Sequence, residues 1–373
     1  MAFMLDSMLR KAILVIVLAS LTIFFLLGFW WVWRKDGVRF LSPVMPGNFK
    51  IERPMIKYSF ENLSQRQYQG SEIKLERVLK EEKEFTSWLF SFQSDGKRAT
   101  GMANLPQVQC HPERSEGSHG DPSSPLDSLE APQDDASCSR ATFPVIVMLR
   151  GYADDEIYFT GLGTRKAAAV FAENGFVTLA PDFLGFGESD PPSGDILEAR
   201  FERPVMVLNL LASIKTLSEV DPNKVFLWAH SNGGQIALSV LEVSSLNVPT
   251  ALWAPVTKGF PESVLDYIGD PLAGGDDQGK KVIDRIFEFE KYHDSKEFSI
   301  DTHFDRIQAP LQIQQGGGDY LVEQAWTNEF VEKMRNLSKD ITYYTYSNAD
   351  HNLKQNWDMA VARDLEFFRK FLE

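Results

Sequence analysis

Cysteine is nearly absent. The 373 residues contain two, Cys110 and Cys138, too few for a disulfide scaffold or a Cys-rich metal site. Positive charge is also short. Against 52 Asp and Glu there are 38 Lys and Arg, a net charge of −14, which argues against non-specific nucleic-acid binding because that needs clustered cations. A composition of 43% hydrophobic, 12% aromatic and 24% charged residues excludes collagen-like, coiled-coil and wholly disordered chains. It describes a globular protein able to bury a sizeable core, as one large α/β domain or two small ones.

One apolar run departs from this average. Residues 12–33 (AILVIVLASLTIFFLLGFWWVW) carry no charge over 22 positions. As a helix they would span ~33 Å, about the thickness of a hydrocarbon core. Arg10 and Lys11 flank one end and Arg34 and Lys35 the other, with Trp30, Trp31 and Trp33 placed for the interface. The run is longer than the apolar part of a secretory signal, and no small-residue cleavage site follows it. An uncleaved single-pass anchor in the lipid bilayer is therefore expected. The flanking cations slightly favour a cytoplasmic C-terminal domain, whereas single anchors often translocate long domains regardless of charge; both orientations stay open.

Residues 1–11 are the flank of this anchor. Residues 34–71, mixed and proline-containing, read as a stalk before a folded domain at 72–373. Within that domain, 85–92 is predicted as a strand, Asp95-Gly96 as a turn and 100–104 as a second strand, which makes a β-hairpin. From about 106 to 140 Ser, Pro, Glu, Asp and Gly dominate, and a disordered insertion is predicted. Both cysteines fall in it with His111 and His119, at a spacing that matches no metal signature.

From Ala141 the pattern changes. Apolar strands are predicted over 143–149, 176–180, 225–229, 248–253, 311–314 and 341–346, with helices over 164–174, 206–217 and 357–372. This alternation implies an α/β fold with a mostly parallel sheet covered by helices on both faces. Chemistry in such sheets collects in the loops after the carboxyl ends of the strands.

The most informative of these loops is Ala229-His230-Ser231-Asn232-Gly233-Gly234, between a strand and a helix expected from Gln235. A small-x-Ser-x-Gly sequence in that context has the form of a nucleophile elbow. The serine sits in a strained turn, and the positions two before and two after it must be small so that strand and helix can approach. The alternative is a Ser and Gly turn that merely joins two elements. A serine nucleophile needs a base, and the base needs an orienting acid. Of the six histidines, His111 and His119 lie in the insertion, His230 is read as pointing away from the site, and His293 and His303 as surface or packing residues. His351, after the last strand and before the closing helix, is left as the base. The acid is placed at Asp319, on the loop leaving strand 311–314 through three glycines, in preference to Asp350 beside the histidine.

The string from Val220 to Gly234 (VDPNKVFLWAHSNGG) resembles the segment entering the elbow of α/β-hydrolases, and most closely the catalytic domain of the prolyl oligopeptidase (peptidase S9) and acylaminoacyl-peptidase group. Residues 144–151 are similar to that group's strand and oxyanion turn, 182–189 (DFLGFGES) to its D-x-x-G-x-G-x-S loop, and 309–319 to its acid strand. The resemblance covers roughly 72–373 apart from the insertion. It implies an oxyanion hole made by the backbone N–H groups of Asn232 and Tyr152, with the Tyr152 hydroxyl as a further donor. Two departures are Arg150, where the group usually has His, and Ala229, where it usually has Gly. No room exists between the anchor and the motifs for the β-propeller of full-length prolyl oligopeptidases, and residues 256–308 are too modest for a large lid, so an open cleft is expected. The implied activity is hydrolysis of a peptide or small-molecule ester through an acyl-enzyme, with no metal or organic cofactor. Three readings stay open: a membrane-anchored peptidase, an esterase on small acyl or carbohydrate esters, and a catalytically silent hydrolase fold used for binding.

Overall fold

Residues 53–107, 142–268 and 275–372 are described by the computed structural model. The predicted anchor with its flank, most of the stalk, and the insertion with Cys110, Cys138, His111 and His119 lie outside the described residues. Among those described, no helix is long and apolar enough to cross a membrane.

Nine strands follow one another as β1 (Lys74–Glu81), β2 (Phe85–Ser94), β3 (Lys97–Pro106), β4 (Phe143–Leu149), β5 (Val177–Pro181), β6 (Val220–His230), β7 (Thr250–Trp253), β8 (Leu311–Gly316) and β9 (Ile341–Tyr346). They form one sheet in the order β1-β2-β3-β5-β4-β6-β7-β8-β9. β1, β2, β3 and β5 pair antiparallel in turn, and from β5 to β9 every neighbouring pair is parallel. The predicted hairpin is β2–β3, with Ser94 opposite Lys97 across the Asp95-Gly96 turn.

The helices are α1 (Phe60–Gln65), α2 (Arg165–Glu173), α3 (Ile196–Ser213), α4 (Asn232–Ser244), α5 (Glu262–Leu265), α6 (Gly275–Glu290), α7 (Gln324–Asn336) and α8 (Trp357–Arg369). Alternation along β4 shows how they divide. Val145, Val147 and Leu149 join an apolar cluster with residues of α1, α3, α4 and α7, whereas Ile146 and Met148 join a second cluster with α2 and α8. A strand buried on both faces has no polar side, which is why β4 reads as an unbroken apolar run.

Three expectations change. Residues 53–71 are not stalk: Met55, Tyr58, Phe60 and Leu63 are buried in the first cluster. β1 was not foreseen, because as an edge strand it is largely exposed and carries no apolar pattern. α3 begins ten residues before the predicted helix and contains Pro204, the residue that had ended the pattern. Its start is set by Asp195, whose carboxylate accepts from the Leu197 and Glu198 N–H groups.

One buried carboxylate ties α8 to the sheet. Asp364 accepts from Trp228 Nε1 at 3.0 Å, Trp253 Nε1 at 2.7 Å, Gln312 Nε2 at 2.8 Å and Gln314 Nε2 at 2.6 Å. These donors come from β6, β7 and β8. Burial pushes the Asp364 carboxyl up to about 7, against the downward pull of the four N–H groups. Both carboxylate oxygens are needed, since each takes two donors. Asp364→Asn turns one oxygen into an NH₂ facing two donors, so a loss of about 2–4 kcal/mol is expected in chemical denaturation. Unchanged stability would show that the four contacts are dispensable.

Candidate active site

Ser231 alone makes the turn between β6 and α4, at φ 57° and ψ −124°. Such a backbone costs a non-glycine residue ~1–3 kcal/mol and persists only where its surroundings hold it. Here three hydrogen bonds do so: Ser231 N–H donates to Trp253 O at 2.9 Å, and Ser231 O accepts from Gly234 N–H at 2.9 Å and Val256 N–H at 3.1 Å. The small flanking residues are required. A Cβ on Gly233 would lie 2.2 Å from Leu149 O, and one on Gly151 2.8 Å from Ser231 Cβ. Ala229 is fully buried, so the methyl it carries in place of the usual glycine is accommodated.

The structure brings Asp319 and His351 together. His351 Nδ1 donates to Asp319 Oδ2 at 2.8 Å, with both side chains buried. Asp319 also accepts from Gln315 Nε2 at 3.1 Å and from the Leu321 and Val322 N–H groups at 2.9 and 3.0 Å. Four N–H donors hold this carboxylate in place and orient it toward the imidazole. Donation from Nδ1 leaves Nε2 as the ring's acceptor, the tautomer a general base needs. Asp350 is occupied elsewhere: its Oδ1 accepts from the Asn352 and Lys354 N–H groups and closes the turn below His351. Ser231 Oγ makes no hydrogen bond to His351 in this conformation, a looseness common in ligand-free hydrolases.

Two residues behave differently from expectation. His230 does not point away: its ring lies 4.7 Å from the His351 ring, and its Nε2 donates to His351 O at 3.0 Å. Strand alternation explains this, since His230 shares a face of β6 with Trp228 and stacks near it, beside the returning 347–352 loop. Burial, reinforced by neighbouring His351, lowers the His230 imidazole to about 4. Arg150 lies below the turn. Its Nη1 and Nη2 donate to Gly151 O at 2.9 Å and Asp182 O at 3.1 Å, and its guanidinium lies 4.1 Å from the Phe186 ring centroid. It thereby braces the turn that carries Tyr152. Asp182, first residue of the 182–189 loop, accepts from Thr100, Tyr158 and Thr160 hydroxyls, while burial raises its carboxyl.

Asn232 opens α4, so its N–H has no intrahelical acceptor, and the same helix end favours negative charge nearby. Tyr152 is 65% exposed, on the turn after β4. His293 packs 4.6 Å from Phe289 and His303 4.7 Å from Phe60, the packing roles expected of them. Among the described residues no group of three or more His, Cys, Asp or Glu is placed to hold a metal ion. A cavity of about 470 Å³ lined by Phe260, Glu290, His293 and Asp301 includes neither Ser231, Asp319 nor His351. Sequence reasoning missed Gln315, whose only signal is its place beside the glycine loop, and the positioning contact of His230.

The sign of the His230 contribution is testable. As pH falls, the unfolded chain takes up this proton near 6.5, the folded chain only near 4, so folding stability falls across that window. His230→Gln keeps a donor for His351 O and removes the titration. The stability difference between pH 7 and pH 4 is expected to shrink in the variant, measured by urea denaturation; identical pH dependence would contradict the assignment.

Sequence comparison adds a family. The profile of the Alpha/beta hydrolase family matches residues 146–358, more than half of the chain. The quorum-quenching protein AidA of Acinetobacter baumannii is 26% identical over 156 residues, 38% of this chain and 48% of that protein. An uncharacterised Mycobacterium tuberculosis protein is 30% identical over 95 residues, 26% of this chain and 24% of its own length. The chain thus spans less than half the length of these curated relatives. Among solved structures, an acetyl xylan esterase from a Paenibacillus species superposes with a TM-score of 0.56 at 15% identity, covering 84% of this chain and 92% of the esterase. The acylaminoacyl peptidase of Pyrococcus horikoshii gives 0.53 at 16% identity, covering 77% of this chain and 42% of the peptidase. With strands β5 to β9 and the turn at Ser231 all inside the matched segment, the chain belongs to the alpha/beta hydrolase family.

Proposed function

We propose that the protein is a serine hydrolase that cleaves carboxylic ester or amide bonds through an acyl-enzyme. The observation that carries this reading is the Asp319–His351 hydrogen bond at the sheet edge that also presents Ser231 on a strained turn. In this scheme Ser231 Oγ attacks the acyl carbonyl and His351 Nε2 takes its proton. Asp319 holds the imidazole and stabilises its charged form. The oxyanion is taken by the Asn232 and Tyr152 N–H groups, and His351 returns its proton to the leaving group before water releases the acyl chain. Esterases and peptidases both occur among the structural neighbours, in keeping with either bond type. Membrane attachment through residues 12–33 belongs to the same reading and rests on that run of the sequence.

A matched ester and amide of one acyl group test the proposal. Ser231→Ala is expected to lower kcat on the order of 10⁶-fold, and Asp319→Asn about 10³–10⁴-fold, on whichever substrate turns over. Amide cleavage that disappears in Ser231→Ala identifies a peptidase; Ser231-dependent cleavage of the ester alone identifies an esterase. Turnover that survives in Ser231→Ala would overturn the assignment.

A further inference from the structure

Strand β8 presents glutamines to both faces of the sheet. Gln312 and Gln314 reach Asp364 on α8. Alternation therefore turns Gln315 toward the opposite face, where Ile313 shares an apolar cluster with Phe330, Val331 and Met334 of α7. Gln315 is fully buried there, and so is Thr327 in the first turn of α7. A buried primary amide needs partners for two N–H donors and a carbonyl. Thr327 Oγ1 donates to Gln315 Oε1 at 2.9 Å. Gln315 Nε2 donates to Val322 O at 3.0 Å, Asp319 Oδ2 at 3.1 Å and Gly316 O at 3.2 Å. Turned over, the amide would set its own oxygen against three others, so these partners permit one orientation only.

The amide acts on the oxygen that the imidazole uses. Asp319 Oδ2 takes both Gln315 Nε2 and His351 Nδ1, whereas Oδ1 takes the Leu321 and Val322 N–H groups. Those two backbone donors belong to the same loop as Asp319 and move with it. Gln315 stands on a strand and is held by a helix, so it ties the carboxylate to regular structure. The first turn of α7 reaches the nucleophile as well. Trp326 O accepts from Thr257 Oγ1 at 3.1 Å, and the adjacent Val256 N–H donates to Ser231 O at 3.1 Å. One helical turn thus supports both the acid and the elbow.

We propose that Gln315, fixed by Thr327, is a positioning residue for the reaction: it keeps Asp319 Oδ2 on His351 Nδ1, and turnover depends on it through Asp319 alone. This deepens, and rests on, the reading of Ser231, Asp319 and His351 as nucleophile, acid and base. Without the amide donor, Oδ2 loses its tie to β8 and α7, and the carboxylate is free to rotate within its own loop. A base displaced by about 1 Å from the proton it must take costs up to ~10²-fold in rate.

Kinetics of the full-length protein on whichever matched substrate turns over test this. Gln315→Met keeps the volume and removes the donor; kcat is expected to fall about 10–100-fold with KM little changed. In an Asp319→Ala background the same change should cost nothing further, because no carboxylate is left to position. Gln315→Glu gives a readout independent of the fraction folded. Its carboxyl can donate to Asp319 only while protonated, and two buried carboxyls in contact resist ionising together. Its activity relative to the wild type should therefore fall as pH rises, whereas that of Gln315→Met stays constant. Unchanged kcat in Gln315→Met, an equal loss in both backgrounds, or a pH-independent ratio for Gln315→Glu overturns the proposal. The proton resonance of His351 Nδ1–H reads the arrangement without catalysis: it should lie at low field in the wild type and lose that position in Gln315→Met. A Gln315-dependent resonance without Ser231-dependent turnover would uphold the positioning role and sink the nucleophile. Ser231-dependent turnover indifferent to Gln315→Met would do the reverse.

Discussion

The backbone of Ser231 is held where a side chain is disfavoured, and much of the surrounding packing exists to hold it there. The φ of 57° turns the chain from β6 into α4 within one residue, so the two elements must almost touch the neighbouring strand and turn. That closeness is why Gly151 and Gly233 carry no Cβ, and why the carbonyl of Ser231 is clamped by two N–H groups from different segments. The same turn starts α4 at Asn232, against the turn that follows β4. The strained residue and the close approach of its neighbours are thus two results of one steric arrangement.

Around this turn, charge is placed by elements distant in sequence. Asp319 reaches His351 because β8 and β9 are neighbours in the sheet and their following loops leave at the same edge. His230, neutral, donates to the backbone carbonyl of His351, so this histidine is braced at both ring and main chain. Beneath, Arg150 and Asp182 bond the turn after β4 to the 182–189 loop, while Asp364 joins three of the parallel strands to the last helix. The carboxylates of Asp319, Asp182 and Asp364 are thus each supplied with several donors.

Much of this was legible in the sequence, for local reasons. The elbow is a steric requirement confined to five residues, while chain order, elimination among the six histidines and the three-glycine loop pointed to Asp319 and His351. Strands β4 and β9 were readable at their observed bounds, the first from its unbroken apolar run. What escaped depends on contacts between distant segments. The four buried apolar residues of 53–71 have no periodicity and gain meaning only against α3 and α4. The first half of α3 is obscured by charge and Pro204. The direction of His230 follows from which face of β6 the 347–352 loop returns to, a fact no local pattern contains.

The central claim, that the strained turn makes Ser231 a nucleophile activated by His351, is tested most directly by covalent trapping. A fluorophosphonate probe should add once per chain, and peptide mass mapping should place the adduct on Ser231. In His351→Ala the rate of labelling should drop by orders of magnitude while the fold persists by circular dichroism. An adduct on another residue, no adduct at all, or equal labelling rates in the two proteins would contradict the account.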